Sequence, residues 1–211
     1  MPAPGEHKTV QARIIAYAQQ VGWTYVSRAE AERRRGFDPA GATPEERARK
    51  SSLFFGDLLH SQVRAFNPKY KEAEGALIGE FQRFHSDIYG NRDFLRALRN
   101  QHKFLDSEEY RELDLALINY SDIARSNQHW RNIYEVTEEF YFHNGRYGTR
   151  EDVVFLINGI PVMVIECKSA GKEEAIALGV DQIRRTMSRR PKSWCWRCYS
   201  PLRKLSALRT A

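Results

Sequence analysis

The chain has 211 residues, 42% of them hydrophobic and 12% aromatic, enough for one domain with a sizeable core and some appendages. Three cysteines, Cys167, Cys195 and Cys198, do not make a disulfide framework. No apolar run approaches a membrane span, and the amino terminus MPAPGEHK lacks a signal-peptide core, so a cytoplasmic protein is expected. The net charge of +6 comes from the carboxyl-terminal end: residues 186–211 hold seven Lys/Arg and no Asp/Glu, which leaves residues 1–185 at −1. Overall basicity is therefore no argument for nucleic-acid binding by the main body.

In chain order, residues 6–20 predict a helix with Val10, Ile14 and Ala18 one turn apart and Ile15 and Val21 widening the stripe. Residues 22–26 (GWTYV) read as a short strand. Residues 29–50 are charged and broken by Gly and Pro, a loop with helical turns, and Arg33 to Arg35 read as a solvated charge run. Three helices are expected next. Ser51 or Ser52 would cap one that buries Leu59, Val63 and Phe66. Leu77, Phe81, Phe84 and Ile88 mark the second. Asn91 would cap a third carrying Phe94, Leu95, Leu98 and His102. Residues 113–120 (LDLALINY) are apolar enough for a strand, and residues 132–143, rich in aromatic and β-branched side chains, predict another. His143 to Arg146 reads as a turn.

The segment from Thr149 to Lys168, TREDVVFLINGIPVMVIECK, carries the strongest local signal. Two apolar runs flank Asn158-Gly159, a hairpin turn that wants positive φ. Asp152 stands at the mouth of the first strand, and Glu166 and Lys168 at the far end of the second. Residues two apart on a strand share a face, so Glu166 and Lys168 point one way and Cys167 the other. A strict two-residue loop would put Asp152 opposite Ile165. A three-residue loop, Asn158 to Ile160, or a bulge would put it opposite Glu166. Two carboxylates and an ammonium at one strand mouth suit phosphodiester hydrolysis: Mg²⁺ takes one or two carboxylates from protein, and a lysine can orient the attacking water. Incidental charges at the open end of an ordinary hairpin are the bland alternative, and they would be costly beside strands buried on both faces.

Asp152, Asn158-Gly159-Ile160-Pro161 and Glu166-Cys167-Lys168 resemble the nuclease motif of the PD-(D/E)xK superfamily. More narrowly, they resemble the amino-terminal nuclease domain of the restriction (R) subunit of type I restriction-modification enzymes. Glu151 stands where that pattern usually has proline. The resemblance implies an α/β restriction-endonuclease-like core, with a central mixed sheet and an amino-terminal helical insertion, over residues 1–185. It implies Mg²⁺ held by Asp152, Glu166 and the Cys167 backbone carbonyl, with Lys168 catalytic. It also implies DNA as substrate and a complex with specificity and methylation subunits. The first core helix of the resembled fold brings an acidic residue toward the metal; Glu6 is the matching position, and a first-turn Glu favoured by the helix dipole is the competing reading. After Lys168 a helix with Ala175, Ile176, Leu178, Gly179, Gln182 and Ile183 is expected. The family's Q-x-x-x-Y element falls here: Gln182 matches its glutamine near DNA, whereas Thr186 replaces the tyrosine.

Residues 186–211 leave the family pattern and read as a basic tail, one account being a shift of reading frame near codon 186. C-x-x-C at Cys195 and Cys198 lacks a preceding strand for redox chemistry and a second ligand pair for zinc. No P-loop sequence occurs, so the family's ATP-driven motor has no site in this chain, and no G-x-S-x-G elbow points to acyl transfer. The expected function is Mg²⁺-dependent DNA cleavage; the alternative is an inactive remnant or a weak DNA- or subunit-binding module.

Overall fold

The structure is a computed structural model that describes residues 10–68, 88–101, 103–106, 111–120, 131–143 and 148–167, together with Ala177, Val180 and Asp181. Leu77, Phe81 and Phe84 of the second expected helix, the 144–146 part of the turn after His143 and the 186–211 tail lie outside these residues, while Ile88, expected to close that second helix, belongs to the next one, Ile88–Leu98.

Ten-residue strands β4 (Tyr134–His143) and β5 (Gly148–Ile157) form the antiparallel spine of the sheet. The six-residue β6 (Ile160–Ile165) adds antiparallel to β5, and the short β1 (Thr24–Val26) adds parallel to β4. The order β1-β4-β5-β6 makes a mixed sheet. The near-continuous apolar run of β5 predicts cover on both faces, and its side chains do divide that way. Val153 and Phe155 pack with Ile15 and Ala18 of α1 (Ala12–Gln20), while Val154 and Leu156 pack with Leu59 and Val63 of α4 (Gly56–Phe66) and Ala97 and Leu98 of α5 (Ile88–Leu98). This is an α/β architecture with helices on both sides of the sheet. Ala177, Val180 and Asp181 are helical, where the helix after the hairpin was expected.

Several local expectations fail for physical reasons. Val21 sits at the end of α1 and is 76% exposed, so the apolar stripe stops at Ala18. The helix of Leu59, Val63 and Phe66 starts at Gly56 without a side-chain cap; Ser52 Oγ instead accepts from the Phe54 N–H at 2.9 Å and shapes the loop before it. Asn91 lies inside α5 rather than at its start. The loop of residues 29–50 holds the expected helical turns as α2 (Arg28–Arg34) and α3 (Pro44–Ala48), the latter with a Thr43/Glu46 capping box. Its arginines are not one solvated run, however. Arg33 is exposed and paired with Glu30. Arg34 bridges Asp57 (3.1 Å) and Glu135 (2.8 Å) over the Phe55 ring. Arg35 is buried, with its guanidinium stacked 3.7 Å from the Phe140 centroid and donating to the Ser52 and Tyr141 carbonyls. Burial pulls its pKa down to about 9, which leaves it protonated at neutral pH.

The strand expected at residues 113–120 is only half a strand. β3 (Arg111–Asp114) pairs with β2 (Lys103–Asp106) in a separate two-stranded sheet. Residues 115–119 are instead held by asparagine side chains. Asn67 bonds both the N–H and the C=O of Ala116, Asn100 bonds Leu117 and Ile118, and Asn132 bonds both the N–H and the C=O of Asn119. A side-chain amide offers the same donor and acceptor as a peptide group, so it can stand in for a neighbouring strand.

Candidate active site

The site is set by the register of the β5–β6 hairpin. Asn158 (φ 54°) and Gly159 (φ 77°) are both left-handed, the signature of a two-residue type I′ turn. The loop is thus two residues, Ile157 facing Ile160 and Leu156 facing Pro161. Next, Phe155 faces Met163, so Val162 is an extra residue and the ladder is bulged. Pro161 has no N–H to give a ladder, which favours an irregularity beside it. The bulge shifts the register by one. Val154 faces Val164, Val153 faces Ile165, and one further step sets Asp152 opposite Glu166. Of the two devices that could align these carboxylates, the protein uses the bulge rather than the odd loop.

The two strand mouths are joined directly. The Cys167 N–H donates to Asp152 Oδ2 at 2.6 Å, which fixes the rotation of that carboxylate. Ile165 and the fully buried Cys167 both pack into the α1-side cluster, so Glu166 between them turns to the opposite face. Asp152 and Glu166 are both half-buried at the end of the sheet. The Cys167 side chain lies inside the apolar cluster, while its backbone N–H meets the Asp152 carboxylate. Among the described residues no group of three or more His, Cys, Asp or Glu could hold a metal ion. What the described part of the site offers is two carboxylates, and carboxylate oxygen is a donor type that suits Mg²⁺ with its retained waters. Lys168, Gln182 and Glu6 lie outside the described residues.

Two neighbours of the site, Glu139 and Gln11, had gone unread in the sequence. Glu139 of β4 stands at the register position opposite Asp152 on the other side of β5, between the pairs Glu138/Val153 and Phe140/Glu151. Its φ is 51°, left-handed in mid-strand, and the Glu139/Asp152 step is missing from the ladder. Such a backbone costs a non-glycine residue about 1–2 kcal/mol. Its carboxylate accepts from Arg150 Nε (2.7 Å) and from Nε2 of Gln11 (3.3 Å), a glutamine only 3% exposed. The sole hint in the sequence is two adjacent glutamates, Glu138-Glu139, interrupting an apolar strand. Glu151, in the position the motif gives to proline, is buried, with Oε1 lacking a hydrogen-bond partner.

A mixed sheet covered by helices on both faces, with two acidic residues aligned at one strand end, defines a domain of the α/β nuclease-like class. The comparison with protein families is more particular. The family described as type I restriction enzyme R protein N terminus matches residues 4–193, and the chain belongs to that family. The match ends inside the basic carboxyl-terminal segment. No curated protein and no solved structure matches the chain. Among the described residues no helix is long and apolar enough to cross a membrane.

Proposed function

We propose that this chain is the Mg²⁺-dependent endonuclease domain of a type I restriction subunit, and that Asp152, Glu166 and the Cys167 backbone carbonyl are its metal ligands. Family membership supports the restriction-enzyme role in general terms. The observation that carries the finer reading is the bulge at Val162, which turns a two-residue hairpin into one with Asp152 and Glu166 on facing positions. Like charges on directly opposite positions of a ladder repel. A divalent cation would offset that repulsion.

When bound, Mg²⁺ would polarise a phosphoryl oxygen and lower the pKa of a coordinated water. The chain's own part is positional. Asp152 is held by the Cys167 N–H, Glu166 projects from the following strand end, and Lys168, two residues on, orients the nucleophile and steadies charge on the phosphate. Gln182 contributes a DNA contact from the next helix. DNA is the substrate, and the specificity and methylation subunits of a restriction-modification complex are the partners. ATP-driven translocation requires a P-loop that this sequence does not contain. The setting is cytoplasmic.

The test is plasmid cleavage over a Mg²⁺ titration by the purified chain and by Asp152→Ala, with thermal melts of both run alongside. Cleavage by the parent and none by the variant is expected, and Mg²⁺ should raise the melting temperature of the parent alone. Equal cleavage by both proteins would show that the activity comes from elsewhere. A parent that neither cleaves nor responds to Mg²⁺ would leave an inactive remnant or a weak DNA- or subunit-binding module as the surviving reading.

A further inference from the structure

We infer that Glu139 is a positioning residue for Asp152: its left-handed kink in β4 opens the sheet ladder at that one step, so that the Asp152 carboxylate can turn toward β6 and take the Cys167 N–H. The inference rests on the metal-site reading above for its purpose, but on backbone geometry for its substance. β4 and β5 pair without a shift of register from Tyr134/Ile157 to His143/Gly148, and the only step missing from the run is Glu139/Asp152. The missing step coincides with the only positive φ inside a strand among the described residues. A strained residue persists only where its surroundings over-determine it. Here they do so from two directions: Arg150, two residues before Asp152, and Gln11 at the start of α1 both donate to the Glu139 carboxylate. Gln11 is buried and its Oε1 has no partner, so its amide is placed for the bond it gives Glu139 rather than for its own satisfaction.

The kink also explains an alternation fault in β4. Val136 packs on the α1 side, and regular alternation would carry Phe140 to that side as well, yet Phe140 packs on the opposite side with α4. The parity change falls between them, at the kink. Without it, one of the two faces of β4 would be wrong at the site end of the sheet.

The experiment is amide hydrogen exchange on the purified chain, reading Cys167 at the site against Val154 in the ladder interior, paired with Mn²⁺ titration calorimetry. Glycine accepts the left-handed backbone, and valine resists it strongly. Glu139→Gly is expected to keep Cys167 protection within about twofold, and Glu139→Val to speed Cys167 exchange by about tenfold or more, with Val154 unchanged. Should Glu139→Val fail to fold, Glu139→Gln weakens only the Arg150 tie and is expected to give a smaller rise in the same direction. Cys167 exchange unchanged in Glu139→Gln and in a folded Glu139→Val would overturn the inference. Mn²⁺ affinity should track Cys167 protection and vanish in Asp152→Ala. If exchange responds as expected while Asp152→Ala binds Mn²⁺ like the parent, the positioning role stands and the metal reading is what fails.

Discussion

Asn158 has two roles that are usually separate. Its backbone is left-handed at the hairpin tip, and its side chain is fully buried. Oδ1 accepts from the Ile133 N–H, and Nδ2 donates to the Leu117 carbonyl and to Asn132 Oδ1. One amide therefore ties the hairpin turn to β4 and to the asparagine-held segment of residues 115–119. Asn158→Ala would strip the Ile133 N–H and the Leu117 carbonyl of a partner, take one of two donors from Asn132 Oδ1 and leave a non-glycine residue in a left-handed conformation, and a loss of roughly 2–4 kcal/mol is expected. Asn158→Gly would lose the same bonds but keep the backbone, and should be about 1 kcal/mol less damaging. Urea denaturation of the two variants separates the contributions. The sequence showed the turn role of Asn158 and hid the side-chain role, because its partners lie 25 and 41 residues away. The arginines show the same limit. Arg33, Arg34 and Arg35 are adjacent and chemically identical, yet one is solvated, one bridges two carboxylates and one is buried against Phe140. Which face of α2 meets the sheet decides this, and no local pattern states it.

At the scale of elements, the β5–β6 hairpin is docked by its tip. The Phe55 N–H donates to the Gly159 carbonyl at 3.0 Å, and a Cβ on Gly159 would lie 2.6 Å from the Phe55 carbonyl oxygen. Gly159 is thus required twice, by its positive φ and by the backbone entering α4. Gly159→Ala is expected to cost at least about 2 kcal/mol, measured by chemical denaturation, because the obstacle is backbone rather than a movable side chain. On the proposed metal-site reading, the hairpin carries Asp152 and Glu166 as ligands, so that variant should also weaken divalent-ion binding. The hairpin was legible because everything that makes it is local: a turn that needs positive φ between two β-branched runs. Residues 113–120 were half misread because an apolar run says that a segment is buried, not that a strand lies beside it. Three asparagines from outside that segment supply the missing partner groups. The serine cap before α4 failed for a related reason. The helix start is fixed by docking of Phe55 on Gly159, which leaves Ser51 and Ser52 free to shape the preceding loop.

For the whole molecule, the two-sided cover of the sheet makes its stability sensitive to groups that join its layers and strands. Tyr25 of β1 donates to Glu138 of β4 at 2.6 Å. Burial, then that hydrogen bond, then the charge of Glu138 push the Tyr25 pKa up to about 12. A phenol whose pKa is raised by folding contributes stability that is fully present below its unfolded value near 10 and is lost as pH rises toward 12. Stability should therefore hold up to about pH 10 and decline between about 10 and 12, and Tyr25→Phe should remove part of that decline. Denaturation midpoints measured across this range check it; an identical alkaline profile in Tyr25→Phe would show that β1 is not held to β4 through this pair. Tyr141 is shifted upward too, by burial first and by Glu45 second, so Tyr25→Phe should keep a residual alkaline step.

By itself the sequence determined the α/β class, the hairpin, the two-faced burial of β5 and the set of carboxylates worth watching, because each follows from residue type and short-range periodicity. Tertiary structure alone decided the register that makes those carboxylates neighbours. Register is a relation between strands: one extra residue at Val162, beside a proline that cannot donate to the ladder, moves Asp152 from Ile165 to Glu166. Equally, only the assembled sheet shows the kink at Glu139, since a positive φ in mid-strand is held by Arg150 and Gln11 across the fold rather than by any preference of glutamate itself.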